Sequence, residues 1–207
     1  MIIIAHRGFW KTEAEKNTMA ALKRAVECGY GFETDFRDCA GKVLISHNPP
    51  KGDEITADEV FKMYHESSSQ MPLALDIKAD GLQDMMMELL NRHNITNYFM
   101  VDMSVCDTVV YVEKGITIAS RSSEFEPTLP FYNDSKVVWV DYFDGRTDIV
   151  DEMNKYIADG KIPCVVSPDL HHLPYDEMWK VLKENIAGEY YLCTDYPDKA
   201  ELYFDKM

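Results

Sequence analysis

The chain is short of basic residues, and this shortage excludes several classes of partner. Against 36 aspartates and glutamates it has 21 lysines and arginines, giving a formal net charge of −15. A protein that binds nucleic acid or an anionic membrane without sequence preference needs a basic surface facing the phosphate groups. We therefore expect no nucleic-acid partner. Any phosphate ester that binds must be recruited by a few local cations.

Two further absences concern cysteine spacing and apolar length. The five cysteines are odd in number and none form a Cys-x-x-Cys pair, which favours reduced, buried thiols over disulfides or a zinc site. No run approaches the roughly 20 apolar residues of a membrane span, and the N-terminus enters an apolar strand without a charged leader. These features predict a cytoplasmic protein with no integral membrane segment.

What the sequence does contain is a regular alternation of apolar and amphipathic stretches. Its 207 residues, 46% of them hydrophobic, suit a single domain over residues 1–207. Short β-branched and aromatic runs alternate with helical patterns, as in βα units with a buried parallel sheet. Eight such runs are present: Ile2–Ala5, Gly31–Phe36, Leu73–Ile77, Tyr98–Asp102, Ile116–Ser120, Val137–Asp141, Pro163–Ser167 and Tyr190–Thr194.

The ends of these runs distinguish between two architectures. Eight strands can close into a barrel or lie open as a doubly wound sheet, and the count alone decides nothing. Nearly every run ends in polar or ionisable residues, however. These side chains would lie together at one rim, as the catalytic residues of barrel enzymes do. Since such barrels typically have about 250 residues, we predict a compact α/β fold, a (β/α)8 TIM barrel with short loops.

The helix boundaries also carry local signals. Thr18 and Ser104 are candidate N-caps, and Thr56 with Glu59 forms a possible capping box. Pro174 and Pro197 suit first-turn positions.

Acidic residues on the second strand suggest a metal site. Glu33 and Asp35 point to the same face because strand side chains alternate with period two. With one further carboxylate they could bind a hard divalent ion such as Mg²⁺ or Ca²⁺. The alternative is a salt-bridge network with Arg7 or Lys78. Beyond Asp35, a turn and a returning strand predict a small hairpin that brings His47 to the barrel mouth.

These residues, in this order, resemble the glycerophosphodiester phosphodiesterase family. The family's signature has a His-Arg-Gly triplet, an Asn-Thr helix start, a Glu-x-Asp strand, a returning histidine, a third-strand acidic-x-Lys element and a final Thr-Asp-x-Pro turn. The corresponding residues here are His6-Arg7-Gly8, Asn17-Thr18, Glu33-Thr34-Asp35, His47, Asp76-Ile77-Lys78 and Thr194-Asp195-Tyr196-Pro197.

The resemblance implies a function and a role for each residue type. It implies metal-dependent hydrolysis of a small-molecule phosphodiester to an alcohol and a phosphomonoester. The general acid and base would be His6 and His47. The ligands of one divalent cation, Mg²⁺ or Ca²⁺, would be Glu33, Asp35 and Asp76. The phosphate-binding residues would be Arg7 and Lys78. A lyase that releases a cyclic phosphate and a non-catalytic phosphometabolite-binding barrel remain open, as does the oligomeric state.

The chain departs from the family pattern at several positions. Lys16 stands where the family usually has glutamate, Asp76 replaces the common third-strand glutamate, and Asn48 follows His47 where aspartate is frequent. Only 28 residues separate His47 from Asp76, where relatives commonly have a longer insertion that covers the substrate. The shorter segment predicts a more open cleft and a substrate beyond simple glycerophosphodiesters.

Overall fold

The computed structural model describes residues 1–126 and 128–205. Its strands are β1 (Ile2–Ala5), β2 (Gly31–Cys39), β3 (Lys42–Ile45), β4 (Leu73–Ile77), β5 (Tyr98–Val101), β6 (Ala119–Ser122), β7 (Val137–Val140), β8 (Ile162–Val166) and β9 (Tyr191–Thr194). Its α-helices are α1 (Met19–Glu27), α2 (Ala57–Ser67), α3 (Gln83–Arg92), α4 (Val105–Glu113), α5 (Val150–Ala158), α6 (Asp176–Asn185) and α7 (Pro197–Asp205). Short 3-10 turns lie at Glu13–Glu15 and Pro168–His171.

The sheet is a nearly closed parallel barrel. Eight parallel strands follow the order β5-β4-β2-β1-β9-β8-β7-β6, and β3 pairs antiparallel with the end of β2. A parallel bridge between Met100 and Ile118 joins the two ends of this order. The predicted barrel with a hairpin after its second strand is therefore confirmed, and the open doubly wound alternative is wrong. The fifth predicted run, Ile116–Ser120, begins three residues before the observed β6 and overlaps it at Ala119 and Ser120.

One crossover differs from the regular barrel. Between β6 and β7, the described residues 123–126 and 128–136 contain turns but no α-helix, so the described chain has seven α-helices around eight parallel strands. Phe131 and Tyr132 from this segment pack against the core and cover part of the barrel wall. This shorter crossover helps the fold fit into 207 residues.

The buried residues divide into two cores, and the division decides which side chains reach the mouth of the barrel. The layer between strands and helices forms one core, while Ile4, Phe99, Trp139, Tyr191 and their neighbours form a second core within the barrel. Side chains alternate along a strand, so a residue two places beyond an inward residue also points inward. Towards the carboxyl end of the barrel, the inward positions are therefore occupied by polar side chains.

The local helix signals are mostly confirmed. The Thr18 and Ser104 hydroxyls accept the backbone N–H of Ala21 and Asp107, and the Thr56–Glu59 capping box is complete. Pro197 begins α7, whereas the prediction for Pro174 is wrong because α6 begins at Asp176.

The cysteines and the membrane prediction can also be compared with the structure. All five cysteines are free, and Cys164 and Cys193 are buried. The expectation of burial is wrong for Cys28 and Cys106, which are exposed, and for Cys39, which is half-buried. Within the described residues, no helix combines the length and apolar character that crossing a bilayer requires.

Gly8 fixes the turn that follows β1. Its φ is +83°, and a Cβ there would lie 2.7 Å from the backbone of Ala21 and of Leu22 in α1. Only glycine permits both the left-handed conformation and this close approach. The contact holds the Arg7 turn against α1.

We expect Gly8→Ala to destabilise the fold far more than Gly29→Ala. Both glycines have φ near +80°, but a Cβ at Gly29 meets nothing within 4 Å. The Gly29 variant therefore measures the conformational penalty alone, about 1 kcal/mol. The Gly8 variant adds a backbone clash and should lose about 3 kcal/mol or more in the free energy of unfolding. Denaturant unfolding of both variants measures the difference, and equal losses would contradict this account of Gly8.

Candidate active site

Three buried carboxylates meet at the carboxyl end of neighbouring strands. Glu33 and Asp35 lie on β2, and Asp76 lies on β4 directly beside Asp35 in the parallel register. Each side chain offers an oxygen atom within 4.8 Å of the others, and all three are buried. The register between β2 and β4 therefore assembles the acidic cluster that the sequence could only propose.

Two cations contact this acidic cluster, as the salt-bridge alternative predicted. Arg7 donates its backbone N–H to Glu33 over 2.9 Å, and its Nε lies 3.2 Å from Asp35. Lys78 Nζ lies 2.5 Å from Asp76 and 3.8 Å from Asp35. Two cations therefore lie against three carboxyl groups, and the Lys78 ammonium is shared between Asp76 and Asp35.

The cluster also fits a divalent cation. The Oδ1 atoms of Asp35 and Asp76 are buried without a hydrogen-bond partner. A buried carboxylate oxygen without a partner is costly, and hard divalent cations are bound through such oxygens. The residues that could hold the cation are Glu33, Asp35 and Asp76, and they supply only the hard oxygen ligands that Mg²⁺ and Ca²⁺ prefer.

Mutual repulsion and burial change the acidity of these groups. Burial and the neighbouring Asp35 carboxylate raise the pKa of Glu33 to about 8. Burial, with repulsion from Asp102, also raises the pKa of Asp76 well above its usual value, although Lys78 opposes the shift. Both shifts arise from confining negative charge in a poorly solvated space.

His6 lies beside the acidic cluster and is held by an aspartate from the last strand. Its Nδ1 lies 2.6 Å from Asp195 Oδ1, and its Nε2 lies 3.8 Å from Glu33. The side chain is 12% exposed. Burial lowers the pKa of His6 even though the Asp195 hydrogen bond opposes that change. The inward position follows from β1, since His6 is two residues beyond Ile4 in the barrel interior.

His47 reaches the same end of the barrel through the hairpin. The Ser46 backbone N–H donates to the Asp35 carbonyl over 2.9 Å, which ties the residue before His47 to the strand of the acidic cluster. The His47 side chain is exposed and lines an open pocket together with Arg7 and Asn17. The hairpin thus brings His47 near Arg7. Among the described residues, no hydrogen bond or ion pair joins its ring to His6 or to the acidic cluster.

Asn17 supports the cluster from the start of α1. Its Nδ2 donates to Asp35 Oδ2 over 2.7 Å, while its Oδ1 accepts the Thr34 hydroxyl over 2.7 Å. Both Asn17 and Arg7 have positive φ, and the Asn17 N–H donates to the Arg7 carbonyl over 3.0 Å. The helix start therefore orients one of the carboxylates.

Known structures share this arrangement of strands and helices. A Galdieria sulphuraria protein, provisionally named a glycerophosphodiester phosphodiesterase, matches with a TM-score of 0.79 at 16% identity, covering 99% of this chain and 98% of its own. An Oleispira antarctica phosphodiesterase solved with the product sn-glycerol-3-phosphate gives 0.75 at 16% identity, with 100% and 97% covered. The Thermotoga maritima glycerophosphodiester phosphodiesterase gives 0.66 at 18% identity, with 98% of each chain covered.

The chain has the fold of the glycerophosphodiester phosphodiesterases. The resemblance noted in the sequence is thereby confirmed at the level of fold. By sequence, no family model matches the chain and no curated protein matches it. The similarity thus lies in a shared backbone carrying few shared residues, so the site must be argued from this chain's own side chains.

Within this glycerophosphodiester phosphodiesterase fold, Lys16 lies beside the hydrogen-bonded pair of His6 and Asp195. Its Nζ lies 3.5 Å from Asp195 Oδ2, 3.0 Å from Glu13 and 4.5 Å from the centre of the Trp10 ring. Trp10 Nε1 also donates to Asp195 over 3.3 Å. Although burial opposes the shift, the hydrogen bond with His6 and the nearby charges lower the pKa of Asp195. The departure at position 16 therefore places a cation beside the partner of His6.

Sequence reasoning left Asp195 and Asp102 without roles. Asp195 is two residues beyond the inward Cys193, so strand alternation could have placed it at the mouth. Asp102 accepts from Lys78 over 3.0 Å and from Arg121 over 3.0 Å, extending the ion-pair network to β6. Its positive φ of 65° could not be predicted from the sequence, since aspartate is common in ordinary turns as well.

We expect Mg²⁺ binding to release protons and to tighten as pH rises. Because the pKa of Glu33 is about 8, this carboxyl is protonated at neutral pH and must lose its proton to act as a ligand. Affinity should therefore rise between about pH 6 and pH 8, approaching about tenfold per pH unit for each proton released. Calorimetric titration in buffers of different ionisation enthalpy counts the protons.

A test variant and a control variant accompany this titration. Glu33→Gln removes the proton that must leave, so it should weaken binding and flatten the pH dependence. Glu27→Gln changes an exposed carboxylate on α1 and should alter neither. Proton uptake, or affinity that is independent of pH in the unaltered protein, would contradict the raised pKa of Glu33.

Proposed function

We propose that this protein hydrolyses a small-molecule phosphodiester to an alcohol and a phosphomonoester, using two histidines and one divalent cation, Mg²⁺ or Ca²⁺. The observation that carries the proposal is the acidic cluster, with two unpartnered buried oxygens, beside the His6–Asp195 pair. This combination lies at the carboxyl end of the strands, where barrel enzymes have their active sites. The shared fold with glycerophosphodiester phosphodiesterases supports the same reaction class.

The phosphate of the substrate would bind between Arg7 and Lys78. Both side chains already lie within 4 Å of the acidic cluster, so a diester at this position would meet positive charge despite the acidic protein. The guanidinium can bind two phosphate oxygens at once, whereas the ammonium acts as a point charge. A bound divalent cation would supply further neutralisation of the non-bridging oxygens.

His6 is the residue best placed to move a proton. The Asp195 carboxylate accepts a hydrogen bond, so it favours the tautomer in which Nδ1 has the hydrogen and Nε2 has a free lone pair. That Nε2 atom faces Glu33 and the acidic cluster. His6 can therefore accept a proton from the attacking oxygen beside the bound phosphate. Trp10 and Lys16 hold Asp195 in the orientation that this requires.

His47 would carry the second proton transfer. Its ring lies in solvent and lines the pocket that also contains Arg7, so a substrate bound to Arg7 would lie close to it. An alkoxide leaving group needs a proton, and imidazole is suited to give one near neutral pH. The same two histidines would serve a lyase that stops at the cyclic phosphate, which makes the product the distinguishing observation.

Replacing either histidine should abolish turnover. We expect His6→Ala and His47→Ala each to lower kcat/KM by about 10³-fold on glycerophosphodiesters, since each removes one proton transfer. On bis(p-nitrophenyl) phosphate, whose phenolate leaves without being protonated, only His6→Ala should cause a loss of this size. His65→Ala is the matched control, because His65 is an exposed histidine on α2 away from the strand ends. Rates with Mg²⁺, Ca²⁺ or chelator test the cation requirement.

The outcomes of this experiment separate the open functions. Turnover that needs a divalent cation and both histidines supports the proposal, whereas a protein that binds diesters without turnover is the non-catalytic barrel. Phosphorus NMR of the products establishes hydrolysis when it detects a phosphomonoester. A cyclic phosphate that accumulates and never opens would identify a lyase instead.

Asp195→Asn should lower kcat while leaving KM nearly unchanged. The amide has the shape of the carboxylate, but its NH₂ group can donate to Nδ1 and favour the wrong tautomer of His6. In a comparable histidine–aspartate pair this change costs about 10⁴-fold, and we expect about 10²-fold or more here. Steady-state kinetics and nitrogen NMR of the His6 tautomer check the prediction. The exposed Asp198→Asn should keep both values, and an unaltered kcat in Asp195→Asn would exclude the positioning role.

A further inference from the structure

A row of three rings lies on the surface of the barrel mouth. Phe125 is 75% exposed and Phe143 is 42% exposed, which makes them two of the few large apolar side chains in solvent. Their ring centres are 5.8 Å apart, and the His171 ring lies 4.5 Å from that of Phe143. We refer to Phe125, Phe143 and His171 as the aromatic lip.

The aromatic lip lies on the opposite wall of the barrel from the acidic cluster. Its three residues follow the carboxyl ends of β6, β7 and β8, and the acidic cluster lies at the same ends of β2 and β4. In the strand order, β1, β9 and β8 separate β2 from β7. A substrate with its phosphate at Arg7 could therefore extend across the open mouth towards the lip.

The loops that bear the rings are tied together. The Glu124 carboxylate accepts the backbone N–H of Phe143 over 3.2 Å and that of Asp144 over 3.0 Å, joining the loops after β6 and β7. On the other side, His171 Nε2 lies 2.7 Å from Asp141 at the end of β7. The rings are thus part of a fixed surface, which reduces the entropy lost when a ligand binds.

The carboxylates around the lip already have partners, and that of Glu124 accepts the two backbone N–H groups named above. Asp141 pairs with His171, and Asp144 pairs with Arg146 at 2.8 Å. The Arg146 guanidinium also stacks on Tyr142 at 4.5 Å. A quaternary ammonium ligand would find these carboxylates and this aromatic face occupied. The apolar surface of Phe125 and Phe143, in contrast, is exposed to solvent.

We propose that the aromatic lip is a subsite for an acyl or alkyl chain carried by one ester group of the substrate. This inference rests on the proposed phosphodiesterase function and names its substrate class, an amphiphilic diester with a single apolar chain. An apolar patch at the rim of a site binds apolar ligand surface because burial removes both from water. The short segment between His47 and Asp76 is consistent with a cleft that admits such a chain.

Kinetics on a series of chain lengths test this assignment. The substrates are glycerophosphocholine, which has no chain, and hexanoyl, octanoyl and decanoyl lysophosphatidylcholine, each below its micelle concentration. A fully buried methylene is worth about fourfold, so on an open surface we expect kcat/KM to rise about twofold per methylene. The decanoyl and hexanoyl chains differ by four methylenes, so the unaltered protein should prefer the decanoyl substrate by about sixteenfold. The double variant Phe125→Ser/Phe143→Ser should lose this preference.

A matched variant and a binding measurement make the result independent of turnover. Leu202→Ser removes another exposed apolar side chain, 59% exposed on α7, and should preserve the chain-length dependence. Calorimetric titration of the His6→Ala variant with hexyl-, octyl- and decylphosphocholine, themselves phosphodiesters, measures the same dependence in Kd without catalysis. Thermal unfolding of each variant establishes that it is folded.

The outcomes distinguish this inference from the proposed function. Turnover of glycerophosphocholine with no effect of chain length on kcat/KM or Kd overturns the subsite and leaves the phosphodiesterase intact. Absent turnover combined with chain-dependent binding that the double variant loses supports the subsite while refuting the activity. Binding to phosphatidylcholine vesicles that needs both phenylalanines, without chain-dependent binding of monomers, overturns the inference in favour of a bilayer contact. A dimer that the double variant dissociates, again without chain-dependent binding, overturns it in favour of a second copy.

Discussion

The confinement of three carboxylates in one buried place is the constraint on which the rest of this molecule depends. Glu33, Asp35 and Asp76 repel one another, and two of their oxygens lack a hydrogen-bond partner. Such a cluster is unfavourable for folding unless cations compensate it. The strand register holds the carboxylates together, while Arg7 and Lys78 supply part of the compensation. The carboxylate oxygens that remain without a partner make the cluster suited to a divalent cation.

The surrounding hydrogen bonds serve to orient this charged centre. Asn17 holds Asp35 from the start of α1, and Asp195 holds His6 from the last strand. These supports come from both ends of the chain, so the site is complete only when the first and last strands pair. Local folding of the first half would assemble the carboxylates but leave His6 without its partner.

The two walls of the barrel mouth differ in character, and the difference suggests how one substrate could use both. The wall of β1, β2 and β4 presents charge, which suits a phosphate group. The wall of β6, β7 and β8 has its charges paired and exposes phenylalanine surface instead. An amphiphilic diester has the same division, with an anionic phosphate and an apolar chain. The acidic surface of the protein elsewhere would not attract either part.

Local periodicity and short motifs were enough to predict the alternation of strands and helices, the helix caps and the identity of the acidic and histidine candidates. The sequence alone contains all of these signals. It could not supply the pairing of His6 with Asp195, which are 189 residues apart, nor the contact of Lys16 with that pair. It also missed the absent helix after β6 and the exposed phenylalanines. Only tertiary structure decides these features, since the register between distant strands determines which side chains meet and which remain in solvent.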